Sequence, residues 1–179
     1  VILLMGIAGS GKGTQGKLLA EKEGYHVIST GELLRSYGSS DQHTRMHAGE
    51  ILDDEEVTAL LDKALAELAD PDHVILDGYP RRVSQADWLL AQQKLGRFRV
   101  DKVLHLVASK QAVKQRLENR GRVDDHSDAI EERFSEYNRE TLPILDHLSK
   151  AGVSILEIDA ERPVEVIHDE ITILLGPKN

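Results

Sequence analysis

A chain of 179 residues has room for one domain with a sizeable core, and 40% hydrophobic with 30% charged residues places it among soluble globular sequences. No apolar run approaches the roughly 20 residues of a membrane-spanning helix, and a formal charge of -9 opposes broad nucleic-acid binding and suits small anionic ligands held by locally focused cations. Cysteine is absent, which excludes disulfides and thiolate zinc sites and suits a reducing, cytoplasmic compartment.

The chain opens inside an apolar strand, Val1 to Met5, without an initiator Met, which leaves room for a leader. A glycine-rich turn and a helix from Lys12 to about Glu23 follow. Glycines 6, 9 and 11 let the backbone aim its N–H groups inward, Lys12 adds a point charge for β/γ-phosphates, and the helix presents its positive end to the same anion. The spacing Gly6-x-x-x-x-Gly11-Lys12 fits a P-loop, except that Gly13 stands where Ser or Thr ligates magnesium and Thr14 comes one residue late. An ordinary strand-turn-helix corner is the plain alternative, but the preceding strand and Leu18-Leu19 on the following helix give the loop its proper context.

Gly24 ends that helix, and residues 25–29 read as a short buried strand, giving a βαβ unit. Thr30 then reads as an N-cap before Gly31-Glu32-Leu33-Leu34-Arg35. From Ser36 to Gly49 the chain turns polar, and helical periodicity returns between Asp53 and Ala69. This predicts a small helical insertion over 30–60, with Glu50, Ile51 and Leu52 offering backbone groups to a ligand. After Pro71, residues 73–77 form an apolar run ending in Asp77, a buried parallel strand with an acid at its C-terminal edge. Asp77 is a candidate partner for magnesium-bound water, or else a cap for the next turn. Gly78-Tyr79-Pro80-Arg81 and a helix from Ser84 to Leu95 come next, with Trp88, Leu89 and Leu90 as core.

A strand over 102–107 leads into a helix from Ser109 that carries Arg116 and Arg120 on one face. Gly121-Arg122-Val123-Asp124-Asp125 interrupts it, and a second helix from Asp128 to His147 carries Arg133 and must bend or break near Pro143. By itself this corner is a solvated charge network as readily as a site. A strand over 154–159 and a helix beginning at Pro163 complete an α/β fold, a parallel sheet flanked by helices. The eight histidines show no zinc constellation and read as exposed polar residues.

Three separated motifs, residues 6–15, 29–35 and 77–81, together resemble the adenylate kinase family of nucleoside monophosphate kinases. The glycine after the P-loop lysine is typical of that family, while Ala8 replaces a proline common in it. The resemblance implies a P-loop parallel sheet over 1–179, with an NMP-binding insertion at 30–60 and a very short lid at 116–128, too short for structural zinc. It implies reversible transfer of the γ-phosphoryl of magnesium-bound ATP to AMP, giving two ADP, by a cytoplasmic monomer. Gly9, Ser10, Gly11, Lys12, Gly13, Thr14, Arg116, Arg120 and, at the turn before the last helix, Arg162 would hold ATP. Thr30, Arg35, Glu50, Ile51, Leu52, Gly78, Tyr79, Pro80, Arg81, Gln85, Arg122 and Arg133 would hold AMP. Lys12, Arg81, Arg122 and Arg133 would carry catalysis, and Asp77 with Asp124 would meet Mg2+ through water. Gln85 matches the hydrogen-bonding edge of adenine, and Thr30 with Gln85 favours AMP over the acceptors of the similar uridylate/cytidylate kinases. A non-catalytic adenylate sensor is the alternative of another class, and it has no need for so many phosphate-facing cations.

Overall fold

The computed structural model describes residues 1–39, 44, 54–68, 73–121 and 127–176, with the backbone alone at 120 and 127. Five strands, β1 (Ile2–Met5), β2 (His26–Ser29), β3 (Val74–Asp77), β4 (Lys102–Val107) and β5 (Ser154–Asp159), form one sheet in the order β2-β3-β1-β4-β5. Every pairing is parallel, with Leu4 opposite Asp77 on one side of β1 and opposite Leu104 on the other. The chain first winds to one side of β1 and then to the other, so the crevice at the carboxyl end of β1 is the topological switch point, where α/β sheets bind ligands.

Helices cover both faces: α1 (Lys12–Glu23), α2 (Thr30–Tyr37), α3 (Asp54–Ala66), α4 (Val83–Lys94), α5 (Lys110–Arg120), α6 (Ser127–Glu136), α7 (Leu142–Lys150) and α8 (Val164–Leu175). The alternation of β1 explains the two main cores. Leu3 and Met5 point into one, with Leu61 of α3, Leu89 of α4 and Ile144 of α7; Ile2 and Leu4 point into the other, with Leu19 of α1 and Ile167 and Ile171 of α8. A third, smaller cluster packs Ile7 of the glycine turn on Val113 and Leu117 of α5 and Ile130 of α6. That contact gives the loop after β1 a rigid apolar floor. Trp88 packs edge-on against Tyr79, with ring centroids 6.2 Å apart, and Leu89 is fully buried, as a core reading of that helix requires. Among the described residues no helix is long and apolar enough to cross a membrane.

Two expectations, on Thr30 and on the histidines, are corrected, and one, on Pro143, is met. Thr30 is the first residue of α2 and Ser29 is its N-cap; the Thr30 hydroxyl instead donates to the carbonyl oxygens of Asp77 and Gly78, 3.3 and 3.0 Å away. Thr30 is already inside the helix, and its hydroxyl donates across to the end of β3 and the residue after it, partners that no local rule announces. The expected break near Pro143 takes the form of a π-helical turn, Tyr137–Thr141, which joins α6 to α7, with the Leu142 N–H bonded to the Tyr137 carbonyl. This widening one residue ahead of Pro143 meets the ladder where the proline lacks an N–H. His105 and His168 are not exposed but buried, at 5% and 3% of their free area. His105 sits inside because the Tyr137 hydroxyl lies 2.6 Å from its Nε2, giving the ring a polar partner in the core.

Candidate active site

Beyond the carboxyl ends of the strands lies a cavity of about 830 Å³. The glycine turn forms one wall. Gly11 caps α1 in the left-handed conformation, φ 105°, and no side chain caps that helix, so the first N–H groups of Lys12, Gly13 and Thr14, residues that line the cavity, have no intrahelical acceptor. Glycine is required at two positions here. A Cβ on Gly6, at φ 146°, would stand 2.5 Å from the Leu106 carbonyl oxygen, and one on Gly9, at φ 86°, would stand 2.9 Å from Leu117 Cγ. The turn is therefore pressed directly onto β4 and α5. Lys12 arches over the loop, its Nζ donating to the carbonyls of Gly6 and Ile7 at 2.7 and 2.9 Å.

The other walls bring cations from distant parts of the chain: Arg35 from α2, Arg81 after β3, Arg116 from α5, Arg133 from α6 and Arg162 before α8 all line the same space. Arg81 donates from Nε to the Gly78 carbonyl at 3.0 Å. Although its tip opens to the cavity, enclosure by protein lowers its pKa from the usual arginine value; Asp77 opposes this, Arg133 adds to it, Glu136 opposes it and Arg35 adds to it. It remains charged at neutral pH. Such a cluster of like charges is costly without an anion among them and complementary to phosphate with one. Arg116 bridges two segments, donating to the Ala160 carbonyl at 2.7 Å and to that of Ser10 at 3.5 Å, so its guanidinium plane is fixed at the cavity wall. Arg162 is paired with Glu170 and lies 3.6 Å from Asp159.

Thr30, Leu34, Val57, Gly78, Tyr79, Pro80 and Gln85 also line the cavity. Tyr79 is fully buried, and its hydroxyl lies 2.8 Å from Thr58 Oγ1. Burial raises its pKa, so the phenol stays neutral. Gln85 is nearly inaccessible and its amide is engaged at both ends, Oε1 accepting from the Arg81 N–H at 2.7 Å and Nε2 donating to Asp54 Oδ1 at 2.9 Å. Asp54 was missed by sequence reasoning because it looks like one more acid in the first turn of a helix. Glu136 and Tyr137, also in the wall, carry no motif that would single them out.

Magnesium was expected near Asp77. Its Oδ2 stands 3.9 Å from where a Cβ on Gly13 would lie, so the carboxylate occupies the neighbourhood in which a P-loop hydroxyl is missing. Among the described residues no group of three or more acids or histidines is placed to hold a metal ion directly. One hard oxygen ligand beside a phosphate cradle fits a small cation that keeps most of its water. Glu50, Ile51, Leu52, Arg122, Asp124 and the Arg120 side chain lie outside the described residues.

Known proteins can now be set beside this geometry. A family model described as adenylate kinase matches residues 4–153. The chain is 37% identical to an adenylate kinase of Mycobacteroides abscessus, with 98% of each chain covered. It is 42% identical to one of Mycolicibacterium vanbaalenii over 83% of this chain and 85% of the relative, and 33% identical to one of Porphyromonas gingivalis over 85% and 84%. The family model alone spans most of the chain, and the Mycobacteroides relative aligns with the chain almost end to end: the chain belongs to the adenylate kinase family.

Proposed function

We propose that the chain transfers the γ-phosphoryl group of ATP reversibly to AMP, giving two ADP, and that the cavity at the switch point is where the two nucleotides meet. Its family makes it a nucleoside monophosphate kinase. The observation that carries the assignment of the site is the convergence of Lys12, Arg35, Arg81, Arg116 and Arg133 on one cavity beside an uncapped helix start.

The chemistry explains why cations dominate. The attacking group is a phosphate oxygen, already anionic at neutral pH, so no general base is needed. The difficulty is bringing two polyanions into line while charge spreads over the transferred group. In this reading Lys12 and the N–H groups of Gly9 to Thr14 hold the donor phosphates, with Ser10 as part of the loop. Arg116 lays its fixed plane on the donor base, with Arg120 and Arg162 at the donor side. Arg35 and Arg81 grip the acceptor phosphate, and Arg133 with Arg122 sits over the group in transit. When bound with ATP, magnesium supplies charge neutralisation across the phosphate oxygens, and Asp77, joined by Asp124, would receive its water shell. Closure of the insertion at 30–60 and of the short lid at 116–128 would exclude water, the competing acceptor.

Acceptor choice falls to the part of the wall around Gln85. Leu34 and Val57 offer apolar walls for a base, Thr30 and Tyr79 line its floor, and Gln85 reads its edge, with Glu50, Ile51 and Leu52 adding backbone contacts. A cysteine-free chain also suits the reducing, cytoplasmic compartment proposed here. The test is a comparison of AMP, CMP and UMP as acceptors under identical conditions. AMP is expected to give the highest kcat/KM; faster turnover of either pyrimidine would reassign the acceptor.

A further inference from the structure

We propose that Asp54 is a specificity-determining positioning residue: it locks the Gln85 amide in the one orientation that accepts a 6-amino purine and rejects a 6-oxo purine. The inference rests on the placement of the acceptor base beside Gln85.

The lock follows from the partners of the two ends of one amide. The Arg81 backbone N–H can only donate, so the atom facing it at 2.7 Å must be the Gln85 carbonyl oxygen. The Asp54 carboxylate can only accept, so the atom facing it at 2.9 Å must be the Gln85 nitrogen. Each constraint alone would bias the amide; together they exclude its flipped form. A flip would set two donors against each other at Arg81 and two acceptors at Asp54, at a side chain that is only 2% exposed. Asp54 is itself held at the start of α3, accepting from the Ser84 hydroxyl and lying 3.5 Å from Arg82 Nη1, so both ties run to the N-terminal end of α4.

By valence, the locked amide keeps one further N–H and one further lone pair. An acceptor facing a donor in this fixed sense complements adenine, whose amino group donates while its ring nitrogen accepts. Cytosine presents the same pair. Hypoxanthine, guanine and uracil present the reverse, a carbonyl beside a ring N–H, and meet donor against donor and acceptor against acceptor. The lock thus sorts bases by edge chemistry. This differs from a simple Gln–adenine contact, because an unrestrained glutamine would turn over to read either edge.

The experiment compares kcat/KM for AMP and for IMP, which differ at the 6-position edge alone, in the parent, Asp54→Asn and Ser84→Ala. The parent is expected to prefer AMP by about a hundredfold or more. Asn can present either an oxygen or an NH2 to a turned Gln85, so Asp54→Asn removes one of the two constraints, and the AMP/IMP ratio should fall about tenfold or more. Ser84→Ala loosens the same α3–α4 corner without touching the amide and should leave the ratio within about threefold. Asp54→Ser, read in the same way, replaces Asp54→Asn if the latter melts below the assay temperature. An AMP/IMP ratio unmoved at position 54, or moved equally by Ser84→Ala, overturns the lock while leaving AMP phosphorylation standing. A parent that forms no ADP from AMP overturns the underlying placement and the lock with it.

Discussion

Replacing Arg81 by Ala is expected to separate catalysis from folding. The guanidinium is enclosed beside Arg133 and Arg35, and its charge is disfavoured there. Its one described side-chain bond goes to the Gly78 carbonyl, which also accepts from Thr30 Oγ1 at 3.0 Å and so keeps a partner after truncation. No buried acceptor is orphaned, and relief of like-charge repulsion offsets the lost hydrogen bond. The expected change in folding free energy is within about 1 kcal/mol, which for a domain of this size is a Tm shift of about 2–4 °C at most. Turnover should behave differently. Removal of one preorganised group facing developing charge costs about 2.7–4 kcal/mol of barrier, a loss of about 10²–10³ in kcat. The assay couples ADP formation to a spectrophotometric readout at saturating ATP and AMP, with a thermal melt of the same sample. Turnover within tenfold of the parent would refute the role of Arg81. A Tm lowered by more than about 10 °C would refute the claim that its charge does not support the fold.

Lys12→Ala should also lower turnover by orders of magnitude, but at a stability cost of about 1–3 kcal/mol, because its Nζ ties the Gly6 and Ile7 carbonyls together; urea titration checks the contrast with Arg81→Ala, and equal stabilities would contradict it. Gly6→Ala combines a positive φ with a Cβ 2.5 Å from the Leu106 carbonyl, and should destabilise by about 2–4 kcal/mol by the same titration, whereas a neutral effect would mean the loop can lift off β4. Burial lowers the His105 pKa, with Lys12 adding to the effect and Glu157 opposing it, so the folded protein binds the proton less readily than the unfolded chain. Its stabilising contribution is therefore full above about pH 6.5 and is lost as the pH falls from there toward the lowered folded value. His105→Gln should accordingly lose less stability than the parent between pH 7.5 and 5.5, and parallel losses would show that His105 does not titrate differently on folding.

Much of this molecule was legible in its sequence where local rules apply. The helix expected from Lys12 to about Glu23 spans those residues, because glycines at both ends supply the left-handed caps. The apolar run ending in Asp77 became a central strand, and the glycine turn lies where β1 meets the crevice. Local rules failed where a partner distant in sequence intervened. Thr30 was read as a cap because its acceptors, the carbonyls of Asp77 and Gly78, are supplied by a strand more than forty residues away. The match of Gln85 to an adenine edge is legible in the sequence, but its partners, Asp54 and the Arg81 N–H, are not. His105 was read as exposed because nothing near it in sequence announces Tyr137. Pro143 did mark a disturbance, but the π-turn that absorbs it is set by the packing of α6 and α7.

The most direct measurement is ADP formation by the folded protein supplied with ATP, AMP and Mg2+, with each omitted in turn. A cationic cavity that aligns two nucleotides predicts two ADP for each ATP consumed, and none when any component is missing. A folded, nucleotide-binding protein that forms no ADP with all three present would contradict it.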